Sequence, residues 1–397
     1  MSSFRTLSRF AIATLFLAWS FPYLHGRLRV LTLLFSNNPN NLPELNKFST
    51  SSVKFQNKLR NCEDGIIIDE DALAILSCDP GRDLWNTVMG TFHPDRDAIP
   101  NGKLWIYRYE LPEESSKRAL FPIEFDLSAY EGKFSFHPLG VEYHRESGTL
   151  VVCNHHIEGS RIEVFTLTIN PNGAVAKHTR SIIHPLLSTP NSVVPLNRDE
   201  FYVTNDHYFR RRYYPALAVT ETYSGIPGGT VAYVNLAAEP IEVKTVARGP
   251  FVNGVTLLNK STVAVALSGA AEVRLYHRHE DNSLKQVDAI RLRFVPDNLS
   301  TDKDGSLLIA GHPHPPSLDK TVHARTECKG VDGVVPQECW TSTSPSWVER
   351  WTPARGLETL YVSSKGYGSS ATAAKDAVRN VGIVTGLYEN GILVWKE

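Results

Sequence analysis

The chain has 397 residues, is 42% hydrophobic and 21% charged, and carries a formal net charge of −1. That length and apolar share support a sizeable buried core, and closed all-β folds of this size need no second domain. Balanced charge without a basic or acidic tail excludes nucleic acid as the main partner, because phosphate binding needs concentrated positive surface.

At the N-terminus, Arg5 and Arg9 precede the apolar run from Phe10 to Phe21. A second apolar patch, Val30 to Phe35, follows Arg27 and Arg29. Basic residues ahead of an apolar run form the pattern of a secretory signal. No small-x-small cleavage site follows, so residues 1–36 read as a signal peptide or signal-anchor region, with a buried helix as the competing reading. The run is short for a full bilayer crossing. This hydrophobic helix places the chain in the secretory pathway, secreted or membrane-associated, with a membrane or lipid surface as a further partner. Residues 37–49, rich in Asn and Pro, read as a linker, and the globular part spans 50–397.

Asn61 to Cys78 gives two strand-like runs around an acidic turn. Asp79 to Pro100 reads as loop, and Gly102 to Tyr109 returns to a strand pattern. A cadence then recurs. Pro138–Tyr143, Thr149–His155 and Arg161–Leu167 form one unit. Phe251–Leu258, Thr262–Ser268 and Glu272–Arg278 form another, and Pro296–Leu299 with Gly305–Ala310 begins a third. Short strands recurring about every fifty residues suggest the blades of a propeller. The Arg210–Pro215 cluster within the segment to Gly229 reads as an active-site mouth, a headgroup contact or a solvated loop. An insertion occupies about 313–355, Ala371 to Arg379 suits a short helix, and Val381 to Val394 supplies closing strands.

Among five cysteines, Cys328 and Cys339 are close enough in sequence to pair in an oxidising compartment, as are Cys62 and Cys78. Cys153, inside an apolar run, reads as a buried thiol. Asn259-Lys-Ser261 and Asn298-Leu-Ser300 match the N-glycosylation pattern, the second being unused if Asn298 faces a buried site.

Polar residues repeatedly open the strand units: Glu63, Asp64, Asn191, Asn253, Asp297 and Asn298. These are oxygen donors, mixing few carboxylates with neutral amides. Ca²⁺ accepts six to eight such oxygens with forgiving geometry, whereas zinc favours His and Cys. The competing reading makes Asn253-Gly254 and Asp297-Asn298 simple turns. His155, His207 and His312 follow strand runs, where an imidazole could exchange protons with water or a leaving group.

Phe201-Tyr-Val-Thr-Asn-Asp-His-Tyr-Phe209, preceded by Asn191-Ser-Val-Val and followed by Phe251-Val-Asn-Gly-Val255 and Pro296-Asp-Asn-Leu-Ser300, resembles the serum paraoxonase/arylesterase family. The resemblance runs from about Asn61 to the last strands and is weaker over 319–380. It implies an all-β, six-bladed β-propeller with an N-terminal hydrophobic helix. It also implies calcium held by Glu63, Asn191, Asn253, Asp297 and Asn298. The implied activity is hydrolysis of a lactone or aryl ester, in which calcium stabilises the oxyanion while activated water attacks the carbonyl. A calcium-stabilised ligand-binding or membrane-associated propeller without catalysis is the alternative. His155, His207 and His312 match histidines around the family's pocket. Leu139 stands where the family commonly has a histidine, with His137 nearby. A second, structural calcium would use Asp64 and the Val141 carbonyl, but Ser192 replaces its other acidic ligand. Val394-Trp395-Lys396 stands where the family has its terminal cysteine, so hydrogen bonding between terminal strands, or the cysteine pairs above, would have to maintain closure.

Overall fold

Runs such as Thr262–Leu267 and Leu307–His312 are buried along nearly their whole length. Such strands need cover on both faces, which stacked sheets supply. The computed structural model describes residues 20–112, 116–171, 173–327, 339 and 341–397. Among these, four sheets resemble blades. The first runs Pro190–Pro195, Glu200–Asn205, Gly229–Asn235, Glu242–Gly249, and the second Val252–Asn259, Thr262–Leu267, Glu272–Arg278, Leu284–Arg291. The third joins Val295–Thr301, Leu307–His312, Ser346–Thr352 and Gly356–Ser363, with Leu45–Asn46 on its outer edge. That short strand lies in the stretch expected as a linker. Ser370–Asp376, Val381–Gly386 and Ile392–Lys396 make the fourth, completed by Thr50–Lys54.

The expected all-β, six-bladed propeller is corrected at this point. The units at 62–126 and 138–182 are not separate, because Leu120–Asp126 pairs in parallel with Gly173–Ile182, Ile123 opposite Ala174 and Asp126 opposite Lys177. Two outer edges that would each expose unpaired N–H and C=O groups thus satisfy one another. The result is one eight-stranded sheet, nearly closed, because its edge strands Cys62–Ile68 and Pro138–His144 also touch. With 15% helix and 48% strand the fold is mixed α/β. The helices include Pro215–Ser224, in the basic and aromatic segment, and Pro315–Thr326, in the 313–355 insertion.

The expected signal anchor is corrected as well. Residues 1–19, with most of the first apolar run, lie outside the described residues. Residues 20–36 form a helix fastened to the sheets. Arg27 donates to the Gly269 carbonyl, and Arg29 to those of Ala270, Ala271 (3.3 Å) and Leu292 (3.2 Å). Asn37 Nδ2 holds Arg293 O at 2.7 Å. Among the described residues no helix is long and apolar enough to cross a membrane.

The helix expected over Ala371 to Arg379 is corrected too, because Ser370–Asp376 is a strand with every residue buried. Its small side chains fit between packed sheets, and that packing overrides alanine's helix preference. The terminal strands close the ring, from Thr50 opposite Lys396 to Lys54 opposite Ile392. Cys62 and Cys78 form a disulfide between directly opposed residues of adjacent strands, and Cys153 is a buried free thiol. Cys339 is disulfide-bonded, while Cys328 lies outside the described residues.

What positions the site is the innermost strand of each unit. Cys62–Ile68, Pro138–His144, Pro190–Pro195, Val252–Asn259, Val295–Thr301 and Ser370–Asp376 touch in sequence around a closed ring. Asn259 ends one of these strands in an exposed turn, whereas Asn298 is 2% exposed. Secreted from eukaryotic cells, the chain is therefore expected to carry glycan at Asn259 and none at Asn298. Glycopeptide mass spectrometry reads this directly.

Candidate functional site

Each inner strand slips register near its start. The slips fall between Cys62 and Asp64, Pro190 and Val193, Val252 and Val255, Pro296 and Leu299, and Ser370 and Ala373. The sixth lies where Leu139 and Gly140 pass Cys153. Residues in such bulges leave the ladder and turn their side chains off the sheet. Glu63, Asn191, Asn253, Asp297 and Asn298 all occupy bulges. Glycine permits the crowding: a Cβ on Gly254 would lie 2.6 Å from Asn298 Cα, and one on Gly140 would lie 2.5 Å from Asn191 O.

A cavity of about 120 Å³ opens at this end of the ring, and Glu63, Asn191, Asn253, Asp297 and His312 line it. All five ring polar residues are at most 5% exposed. Glu63 Oε2 and the Oδ1 atoms of Asn191, Asn253 and Asn298 are buried without a hydrogen-bond partner. Asn298 Nδ2 donates to Glu63 Oε1 at 2.9 Å, so its own Oδ1 is turned elsewhere. Burial, then Asp297 and Asp64, push the Glu63 carboxyl well above its ordinary range. Orphaned buried acceptors are costly. One carboxylate oxygen of Glu63 and three amide oxygens, with the Asp297 carboxylate beside them and no hydrogen-bond donor on those four among the described residues, are a donor set that fits a hard cation.

Asp64 behaves differently. Its oxygens accept from Gly65 N (2.8 Å), Thr372 Oγ1 (2.9 Å) and Val141 N (2.9 Å). Val141 thus turns its N–H, not its carbonyl, to Asp64. Ser192 Oγ accepts from Val255 N. Asp64 and Ser192 are thus engaged by protein donors, unlike the orphaned oxygens of the first set.

The four histidines separate by what already holds them. His155 donates Nε2–H to Pro190 O at 2.6 Å, so Nδ1 accepts from Thr87 Oγ1, also at 2.6 Å. Burial lowers its pKa and keeps it neutral. His207 is held by Asp206 (2.8 Å) and Thr222 (2.7 Å) beside a neighbouring cavity that Arg210–Tyr214 also lines. His137 faces Asp79 at 3.2 Å and the Trp85 ring. Only His312 of the four lines the cavity with the oxygen donors. Its Nε2 meets Asp297 Oδ2 at 3.0 Å, and its Nδ1 has no partner. Leu139 lines the same cavity.

Three contributors escape a reading of the sequence. Arg27, Val30 and Leu34 of the N-terminal helix form one wall, at the spacing of one helical face. Thr372 links Asn298 to Asp64 from a strand whose sequence suits a helix. Ser268 bonds Asn253 at 3.1 Å, and only its place after the run Thr262–Leu267 hints at it.

A family model described as Arylesterase matches residues 92–324. Serum paraoxonase/arylesterase 2 of Bos taurus is 31% identical over 230 residues, covering 56% of this chain and 60% of that one. The Gallus gallus protein of the same description is 32% identical over 232 residues, again 56% and 60%. Serum paraoxonase/lactonase 3 of Oryctolagus cuniculus is 30% identical over 291 residues, 71% and 75%. The match to the first two spans 60% of their length. Glu63 falls outside 92–324, so its membership of the site rests on geometry.

Gly254→Ala is expected to destabilise the chain by about 1–3 kcal/mol, the usual cost of overpacking. Gly26→Ala, where the added carbon meets nothing within 4 Å, should not. Denaturant titration of the two variants checks this.

Proposed function

Since this chain belongs to the arylesterase family, we propose that it hydrolyses a lactone or aryl ester at the bulge-lined cavity, with calcium as its resident ion. The observation that carries this reading is the set of four orphaned oxygens on Glu63, Asn191, Asn253 and Asn298. Together with Asp297 they would hold the ion, two carboxylates balancing its charge. Bound there, calcium supplies a Lewis acid for the negative charge that develops on a carbonyl oxygen.

The chain's own residues divide the remaining work. His312 is the proton-handling group, because Asp297 orients its ring through Nε2 and leaves the Nδ1 lone pair uncommitted. A neutral imidazole so held can accept a proton from attacking water and return it to the leaving oxygen. His155 and His207 are engaged at both ring nitrogens and act as scaffold. Leu139, Val30, Leu34 and Phe251 give the cavity apolar walls, which suit an ester or lactone body and limit water. Likeness to serum proteins favours a secreted setting.

Leu139 motivates a second reading. Where the family commonly places an imidazole, this cavity has an apolar side chain, as in a calcium-stabilised binding protein without turnover. Calcium binding and retention of an ester analogue, with no hydrolysis across varied esters, is the outcome that reading requires.

Chelation is expected to abolish turnover on lactone and aryl-ester panels, with calcium restoring it. Turnover in fully metal-depleted protein would overturn the proposal. Melting temperature should also rise with calcium, since ion at a hundredfold excess over its Kd adds about 2.7 kcal/mol. His312→Gln should lower kcat about 10²- to 10⁴-fold.

A further inference from the structure

We propose that Ser268 is a positioning residue that sets which end of the Asn253 amide faces the cavity, an inference that rests on the calcium reading. Ser268 is 3% exposed and stands where the strand Thr262–Leu267 passes into a short 3₁₀ turn. Its hydroxyl lies 2.6 Å from the Pro296 carbonyl and 3.1 Å from Asn253 Nδ2. A carbonyl oxygen only accepts, so the single hydroxyl hydrogen is committed to Pro296. The oxygen then has only lone pairs to offer Asn253. An amide can meet a lone pair with its NH₂ end alone, and its carbonyl must face the other way. That carbonyl, Asn253 Oδ1, is one of the orphaned acceptors.

The direction of this chain of bonds settles an orientation that the shape of the amide leaves open. It also ties two inner strands together at the donors themselves, since Pro296 directly precedes Asp297. The backbone around Ser268 is fixed as well: its N–H meets Phe251 O at 2.9 Å, and Arg27 and Arg29 hold the carbonyls of the next residues. Because its hydrogen is directed to a carbonyl rather than to a base, Ser268 is no nucleophile. Its role is exerted through Asn253.

The test titrates calcium, against a competing indicator, into the chelator-treated full-length chain. Ser268→Ala is expected to weaken calcium about tenfold, the lower range for loss of a group that orients a metal ligand. Ser268→Thr, which keeps the hydroxyl, should recover most of that affinity. In an Asn253→Asp background the two side-chain oxygens are equivalent, so Ser268→Ala should cost nothing further. Unchanged affinity in Ser268→Ala, or an equal loss in the Asn253→Asp background, would overturn the positioning role alone. Absence of calcium binding by the parent chain would overturn the calcium reading and this inference with it. Should Ser268→Ala fail to fold, Ser268→Cys, a near-isostere and poor acceptor, carries the same expectation.

Discussion

Buried acceptors without donors are the constraint from which the rest of this molecule follows. Hydrogen-bonding groups taken from water and left unpaired cost about 1–3 kcal/mol each in proteins, and charged groups more. Here Glu63 Oε2 and the amide oxygens of Asn191 and Asn253 line one cavity with Asp297, and the Asn298 amide oxygen, next in sequence to Asp297, is likewise unpartnered. Asp64, one residue from Glu63, has three protein donors. Asp64 is fully engaged, while Glu63 Oε2 beside it is left bare. The bulges are the means: they release one or two residues per inner strand from ladder geometry and leave the sheets otherwise regular.

The same economy explains the division among the histidines. An imidazole wedged between a carbonyl and a hydroxyl, as His155 is, has one tautomer and no spare lone pair. It stiffens the seam between Pro190 and Thr87. An imidazole anchored at one nitrogen only, as His312 is, keeps its chemistry available. Exposure does not distinguish them, since both are buried; their partners do.

Much of the site was legible in the sequence, because polar residues at the start of apolar runs stand out against the strand pattern. Asn253-Gly254 and Pro296-Asp297-Asn298 could be noticed without structure, though as turns or as ligands alike. What could not be seen was the register slip, which belongs to the pairing of two strands and not to either alone. The count of separate sheets failed for a related reason. The parallel pair joining 120–126 to 173–182 is a contact between edges that local periodicity does not encode. Ala371-Thr-Ala-Ala misled through composition, since alanine favours helices only where burial between sheets does not decide. In the N-terminal segment the pattern of basic residues and apolar runs does not reveal that Arg27 and Arg29 find backbone carbonyls more than two hundred residues away.

Glu63 sits near the beginning of the domain and its neighbour in the ring, Ser370–Asp376, near the end. What keeps the sheet bearing that last strand complete is the clasp between Thr50–Lys54 and Ile392–Lys396. No contiguous fragment of the polypeptide therefore owns the centre, and its completeness reports on whether head and tail are joined. Joining head to tail thus holds in place the strand that packs beside Glu63, and the cavity depends on both ends of the folded domain.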